Sequence, residues 1–115
     1  MDSDDFFRSD ALKTLLSGAQ DGADVVVSQL LKVRYDIDYT QTPAFRRATD
    51  STVNAALENK LGWFPVAMLI DTDLLNRNAI YFREGVYFED TDFCIRTFLI
   101  CRKCTVLTET LYYYV

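Results

Sequence analysis

Tyr87-Phe88-Glu89-Asp90-Thr91-Asp92-Phe93 sets three carboxylates between aromatic flanks at the start of an apolar helix. From Asp90 onward, Phe93, Cys94, Thr97, Phe98 and Cys101 recur at the i, i+3, i+4, i+7 spacing of a buried helical face, so this helix belongs to a core. Its first turn therefore places Glu89 and Asp90 beside unsatisfied backbone N–H groups and the positive end of the macrodipole, where an ionised carboxylate is stable. Asp92 is committed elsewhere, because Arg96 lies one turn on at i+4 and can pair with it. Two roles compete for Glu89 and Asp90. An acid ahead of an apolar periodic run is an ordinary helix cap, and it is also a carboxylate available for chemistry.

Around that stretch, the 115 residues make at most one domain, long enough to bury a core. Half of the residues are apolar and only two prolines and four glycines occur, the composition of a globular rather than a disordered chain. A net charge of −5 without a Lys/Arg cluster argues against a nucleic-acid partner, since backbone binding rests on neutralising phosphates. Acidic groups that face an anionic ligand need a divalent cation between them. Cys94, Cys101 and Cys104 make no disulfide framework. Cys101 and Cys104 have CxxC spacing, but with no second pair and no histidine they read as core packing rather than a closed zinc site. No apolar run approaches the ~20 residues of a membrane helix, and an acidic start is the reverse of a signal peptide, so the expectation is a soluble, cytoplasmic piece.

In chain order, Met1-Asp2-Ser3-Asp4-Asp5-Phe6-Phe7 packs acids against two aromatics, and Ser9 or Asp10 caps a helix whose expected inner positions are Leu12, Leu15, Leu16 and Ala19. Gln20-Asp21-Gly22 ends it, and Ala23-Asp24-Val25-Val26-Val27-Ser28 reads as a buried strand. Leu31, Val33, Tyr35, Ile37 and Tyr39 alternate with polar residues, the pattern of a strand with one wet face. Thr42-Pro43 opens a helical stretch to about Leu61, closed by Gly62. A strand is expected over 66–70, a short helical turn over 72–76, and after the Asp90 helix a last strand over 104–115. Both ends look cut rather than finished, with only Met1 where a strand leading into the acidic loop is expected.

Asp-x-Asp spacing occurs four times, so context has to choose among the pairs. Asp36 and Asp38 lie on a polar strand face beside Lys32 and Arg34, and Asp71 and Asp73 sit where a helix start favours acids. Asp2, Asp4 and Asp5 are crowded enough to repel one another unless a cation or donor groups offset the charge. An EF-hand loop is excluded, because Phe7 stands where its glycine belongs and the closing glutamate is absent.

The order Asp2-Ser3-Asp4-Asp5-Phe6, capped helix, Ala23-Asp24-Val25-Val26-Val27, then Phe82-Arg83-Glu84-Gly85 and Phe88-Glu89-Asp90-Thr91-Asp92-Phe93, closing on Leu111-Tyr112-Tyr113-Tyr114, resembles the family 2 glycosyltransferases, the bacterial polysaccharide-synthesis members most readily. Asp2-Ser3-Asp4-Asp5 looks like the family's Asp-x-Asp loop and Glu89-Asp90, about 85 residues on, like its Glu-Asp pair. The resemblance implies an α/β, partial GT-A fold: a mixed sheet flanked by helices, residues 1–115 forming the C-terminal part of the catalytic domain, with the N-terminal nucleotide-binding half missing. It further implies a nucleotide-diphospho-sugar donor, a saccharide or lipid-linked acceptor, inversion at the anomeric carbon, and an intact enzyme peripheral to the membrane.

The residues suit that chemistry. Mg²⁺ or Mn²⁺ takes one or two carboxylates plus substrate phosphates, which Asp4 with help from Asp2 or Asp5 supplies: in the Asp-x-Asp loop that the resemblance implies, Asp2 and Asp4 are the expected metal ligands and Asp2 and Asp5 the expected residues at the bound cofactor. Asp90 suits a general base that takes the acceptor's proton, with Glu89 orienting it or binding the acceptor. The competing reading is a non-catalytic interaction module that keeps the transferase shape. Unpaired strand edges also make self-association of the piece an expectation.

Overall fold

Residues 3–33 and 63–115 are described here, from a computed structural model. Val25, Val26 and Val27 are 0%, 1% and 2% exposed, and the strand that they open, β2 (Val25–Lys32), lies inside a four-stranded sheet. Its neighbours are β3 (Met68–Ile70), antiparallel, and β4 (Cys104–Tyr114), parallel, while the short β1 (Phe6–Phe7) pairs antiparallel with the far edge of β4. The mixed sheet expected from the sequence is therefore present, in the order β1-β4-β2-β3.

Side chains of a strand point alternately to its two faces, so the valine run serves two helices at once. Val26 joins Ala11, Leu15 and Leu111 beneath α1 (Ala11–Ala19). Val25 and Val27 join Phe93, Cys94 and Phe98 of α3 (Glu89–Ile100), together with Leu74 of α2 (Thr72–Arg77) and Ile80. Burial on both faces is why this strand reads as a continuous apolar run rather than an alternation.

On α1 the inner face differs in part from the expected one. Leu15 and Ala19 face the core as expected, but Leu12 and Leu16 are 64% and 51% exposed and Ala11 points inward. The cause is Gly18, which completes the i, i+4, i+7 stripe: a Cβ there would meet Val26 Cγ1 at 2.8 Å, so the helix turns its smallest residues to the sheet and packs closer than larger side chains allow. Asp10 stands at the N-cap but makes no side-chain cap bond, its carboxylate being gripped by Arg8 through Nε at 2.5 Å and Nη2 at 3.0 Å. That guanidinium holds the Asp10 carboxyl below its ordinary range.

Two other expectations shift at boundaries. Residues 65–67 form a 3-10 turn (Pro65–Ala67) and the strand is confined to Met68–Ile70, as suits proline, which lacks the N–H a ladder requires. Leu31 and Lys32 continue β2, paired with Tyr113 and Tyr114, instead of opening a new strand. The rest of that alternating run and the helix expected over 42–61 lie outside the described residues. Asp71 caps α2 by accepting from the Asp73 N–H at 2.9 Å, the structural role expected of it; Asp36 and Asp38 lie outside the described residues.

Candidate functional site

The acidic loop is placed by the end of the last strand. Because β1 runs antiparallel to β4, with Phe6 opposite Tyr113 and Phe7 opposite Tyr112, the residues just before β1 sit at the carboxyl ends of the parallel pair β2 and β4. Ligands of open α/β sheets bind outside those ends. Asp5 anchors the loop: one oxygen accepts from the Tyr112 hydroxyl at 2.5 Å and the other from the Val115 N–H at 3.0 Å. The aromatics that flank the acids in sequence lock the same junction. Phe6 stacks on Tyr113 at 4.7 Å, and Phe7 meets Tyr112 edge-on at 4.9 Å. Asp4, next to this anchor, is exposed, while Asp2 lies outside the described residues.

The second acidic stretch is built around an unusual backbone. Phe88 occupies the N-cap of α3 in the left-handed region, φ 59 and ψ 44, and contributes no side-chain cap bond. For a non-glycine residue that conformation carries a steric cost, and such positions cluster where structure serves function. Glu89 and Asp90 follow in the first helical turn, both exposed. They are thus not the cap residue, and the ordinary capping role belongs to neither.

Asp92 is committed as the spacing indicates. Arg96 Nη2 lies 2.7 Å and Arg83 Nη1 3.5 Å from its carboxylate, and Arg96 also donates to the Tyr81 carbonyl at 2.6 Å. With Phe82 stacked on Phe93 at 4.2 Å, these contacts fasten the approach to the helix, while Tyr87 and Phe88 stand 94% and 82% exposed beside Glu89.

Among the described residues, no three Asp, Glu, Cys or His groups come together to hold an ion, so Asp4 and Asp5 form no common cluster with Glu89 and Asp90. Asp5 fixes the loop from behind and leaves Asp4 exposed at the mouth of the sheet, a carboxylate of the kind that a hard cation takes as one of few protein ligands.

Sequence reasoning treated Asp24 only as part of a strand, and it proves to be a buried clamp. It is 7% exposed, its carboxylate accepts the backbone N–H groups of Arg102 and Lys103 at 2.8 and 3.1 Å, and the Arg102 guanidinium lies 3.5 Å away. The available signal was a lone acid opening an otherwise apolar strand, which needs partners if it is to be buried. Burial pushes the Asp24 carboxyl up, but the two N–H donors and Arg102 outweigh it and hold it below the usual carboxylate range. A carboxyl lowered by folding stabilises the fold above its unfolded value of ~3.9 and loses that contribution as pH falls through the lower folded value. Asp24→Ala, which leaves both part-buried N–H groups without their acceptor, is expected to lower unfolding free energy at pH 7 by ~1–3 kcal/mol. In urea titrations the gap from wild type should narrow below pH 4, and a gap that stays constant into acid would rule out the ionic role. The depression beside Asp24, about 310 Å³ and lined by Ala19, Ala23, Val26 and Leu69, lies at the amino end of β2 and the carboxyl end of β3, away from the acidic loop.

No family model and no curated protein matches the chain. Solved structures do. All of the chain superposes on a crystal structure of S. aureus TarS 1–349, with a TM-score of 0.80 at 24% identity, covering 34% of that chain. The complex of TarS 1–349 with UDP-GlcNAc matches over 98% of this chain and 32% of its own, with a TM-score of 0.77 at 25% identity, and the complex with UDP over 98% and 33%, with 0.78 at 25%. TarS is a family 2 glycosyltransferase.

The fold is that of the family 2 glycosyltransferases.

It is a part of that GT-A fold, since the chain spans about a third of the TarS 1–349 structure that it matches. The mixed sheet, the helix that opens on Glu89 and the acidic loop before β1 are thus elements of a transferase architecture. Among the described residues no helix is long and apolar enough to cross a membrane.

Proposed function

We propose that residues 1–115 are the C-terminal part of the catalytic domain of a metal-dependent, inverting glycosyltransferase, which moves a sugar from a nucleotide-diphospho donor to an acceptor hydroxyl in bacterial polysaccharide or lipopolysaccharide synthesis. The observation that carries this reading is the full-length superposition on TarS, which is solved with UDP-GlcNAc and with UDP. Placement of the acidic loop outside the carboxyl ends of β2 and β4 supports it.

In this reading Asp4, together with Asp2, would hold Mg²⁺ or Mn²⁺, which would supply positive charge to offset that building on the leaving diphosphate, and Asp5 keeps the loop in place through Tyr112 and Val115. Asp90 takes the proton from the acceptor hydroxyl as its oxygen attacks the anomeric carbon from the face opposite the departing diphosphate, which inverts that centre. Glu89, its neighbour in the exposed first turn of α3, orients the acceptor or the base. A cytoplasmic location, at the membrane face where lipid-linked acceptors lie, suits the same chemistry.

Calorimetric titration of the full-length protein that carries these residues with UDP- and GDP-sugars tests it. Binding is expected with Mn²⁺ and is expected to be lost on chelation, while the 115-residue stretch alone binds weakly. Equal binding without metal would sink the cation assignment. Absence of any donor binding would favour a non-catalytic module that retains the transferase fold.

A further inference from the structure

Tyr87 and Phe88 are the most exposed large apolar side chains of the described fold, and they stand directly ahead of Glu89 and Asp90. Other aromatics have found partners: Phe6 with Tyr113, Phe7 with Tyr112, Trp63 with Phe98 and Phe82 with Phe93. Among the described residues Tyr87 and Phe88 have no such ring contact. The backbone that presents them is nonetheless held. Arg96 ties α3 to the Tyr81 carbonyl, Phe82 is stacked on the same helix, and Phe88 itself takes the left-handed N-cap conformation that starts α3.

Charge narrows what these rings can receive. From Tyr81 to Asp92 the chain carries Glu84, Glu89, Asp90 and Asp92 against Arg83 alone, and Arg83 is drawn to Asp92. A rim of that sign repels phosphates, uronates and an anionic bilayer, and aromatic segments that lie in a membrane interface carry lysine and arginine instead. It suits an uncharged ligand that is apolar on one face and bears hydroxyls at its edge. A pyranose ring is such a ligand: its axial C–H groups make a flat apolar face, and its hydroxyls donate to carboxylates. An acyclic polyol has the hydroxyls without the face.

We propose that Tyr87 and Phe88 form the platform on which an uncharged pyranose ring of the acceptor stacks. The inference rests on the transferase reading and adds the acceptor's class to it. If Asp90 takes the proton, the acceptor hydroxyl has to come to the first turn of α3, and the body of the acceptor then lies along the rim that the two rings occupy. Glu89, between the rings and Asp90 in the chain, accepts from a neighbouring hydroxyl and sets which one is presented.

Saturation-transfer NMR on the full-length protein that carries these residues tests the platform, with irradiation of the aromatic protons. The neutral probes are the methyl pyranosides of glucose, galactose, mannose and N-acetylglucosamine; methyl glucuronide is the anionic probe, ribitol the ringless one and choline the cationic one. The expected result is transfer to the C–H protons of at least one neutral pyranoside, with affinity about 2–10-fold weaker in Tyr87→Ala and in Phe88→Gly, the worth of one aromatic contact. Glycine accepts the left-handed backbone at position 88, so that variant loses the ring without the N-cap conformation. Tyr87→Phe keeps the stacking face and should retain the signal. No transfer to any neutral pyranoside would overturn the proposal, as would a signal indifferent to both ring deletions or one as strong with glucuronide, ribitol or choline. Binding to phosphatidylglycerol vesicles that both deletions abolish would also overturn it, by assigning the rings to a membrane. Calorimetric titration of the same samples with UDP- and GDP-sugars separates the two readings. Donor binding without a pyranoside response overturns the platform alone, and a ring-dependent pyranoside response without donor binding upholds the platform and counts against transfer.

Discussion

Asp90→Asn in the full-length protein is expected to leave donor binding nearly intact and to lower kcat by ~10²–10⁴-fold, the usual effect of losing a general base. The expectation rests on position. Asp90 lies in the exposed first turn of α3, whose N-cap is Phe88, so the carboxylate is not what terminates the helix. Loss of a true cap costs ~0.5–2 kcal/mol of stability with turnover preserved. An exposed residue without that duty usually moves stability by no more than ~0.5 kcal/mol. Asp4→Asn should show the complementary pattern, with weaker metal-dependent donor binding. Measurement of kcat, donor Kd and Tm on each variant separates the roles, and an Asp90→Asn enzyme with normal turnover would remove Asp90 from the chemistry.

Tyr112→Ala is expected to be the most damaging single change within the described fold, at ~3–5 kcal/mol for emptying a buried aromatic site. Tyr112 is fully buried, packs with Leu30 and Ala67, meets Phe7 edge-on and donates its hydroxyl to Asp5. The conservative variant separates packing from anchoring. Tyr112→Phe keeps the ring but takes from the Asp5 carboxylate one of its hydrogen bonds, at ~1.5–3 kcal/mol for a bond to a charged group. It should also weaken metal-dependent donor binding, because the loop that carries Asp4 loses a fastening. Chemical denaturation with calorimetry on the same preparations reads both effects, and a Tyr112→Phe protein with unchanged stability and donor affinity would show that the hydroxyl anchors nothing.

The elements that were legible in sequence are those whose pattern is local. The helix after Glu89 follows from the spacing of Phe93, Cys94, Thr97 and Phe98, and β2 from the valine run; both appear where expected. The Asp92–Arg96 pair and the Asp71 cap also follow from separations of a few residues. What sequence alone misplaced depends on distant partners. The orientation of α1 is set by how closely Gly18 approaches Val26 and Leu107, not by where the leucines fall. Asp24 shows its role only when residues 78 and 79 positions away supply their N–H groups. Likewise the hold of Asp5 on Tyr112 and Val115 shows only in the fold, because β1 pairs with a strand some hundred residues on.

That pairing has a consequence for biogenesis. The Asp5 contacts to Tyr112 and Val115 close loops of 107 and 110 residues. At ~5–20 residues per second, a ribosome makes the acidic loop several seconds before it makes the residues that fasten it. During that interval Phe6 and Phe7 have no strand to lie against, and the ring partners that shield them, Tyr113 and Tyr112, are still to come. Non-local pairings of this kind also fold slowly, since the entropy of closing the chain is lost before any contact compensates it. The acidic loop is thus encoded near the start of this stretch and completed at its end, so that premature termination within β4 leaves an acidic, aromatic segment with nothing to dock on.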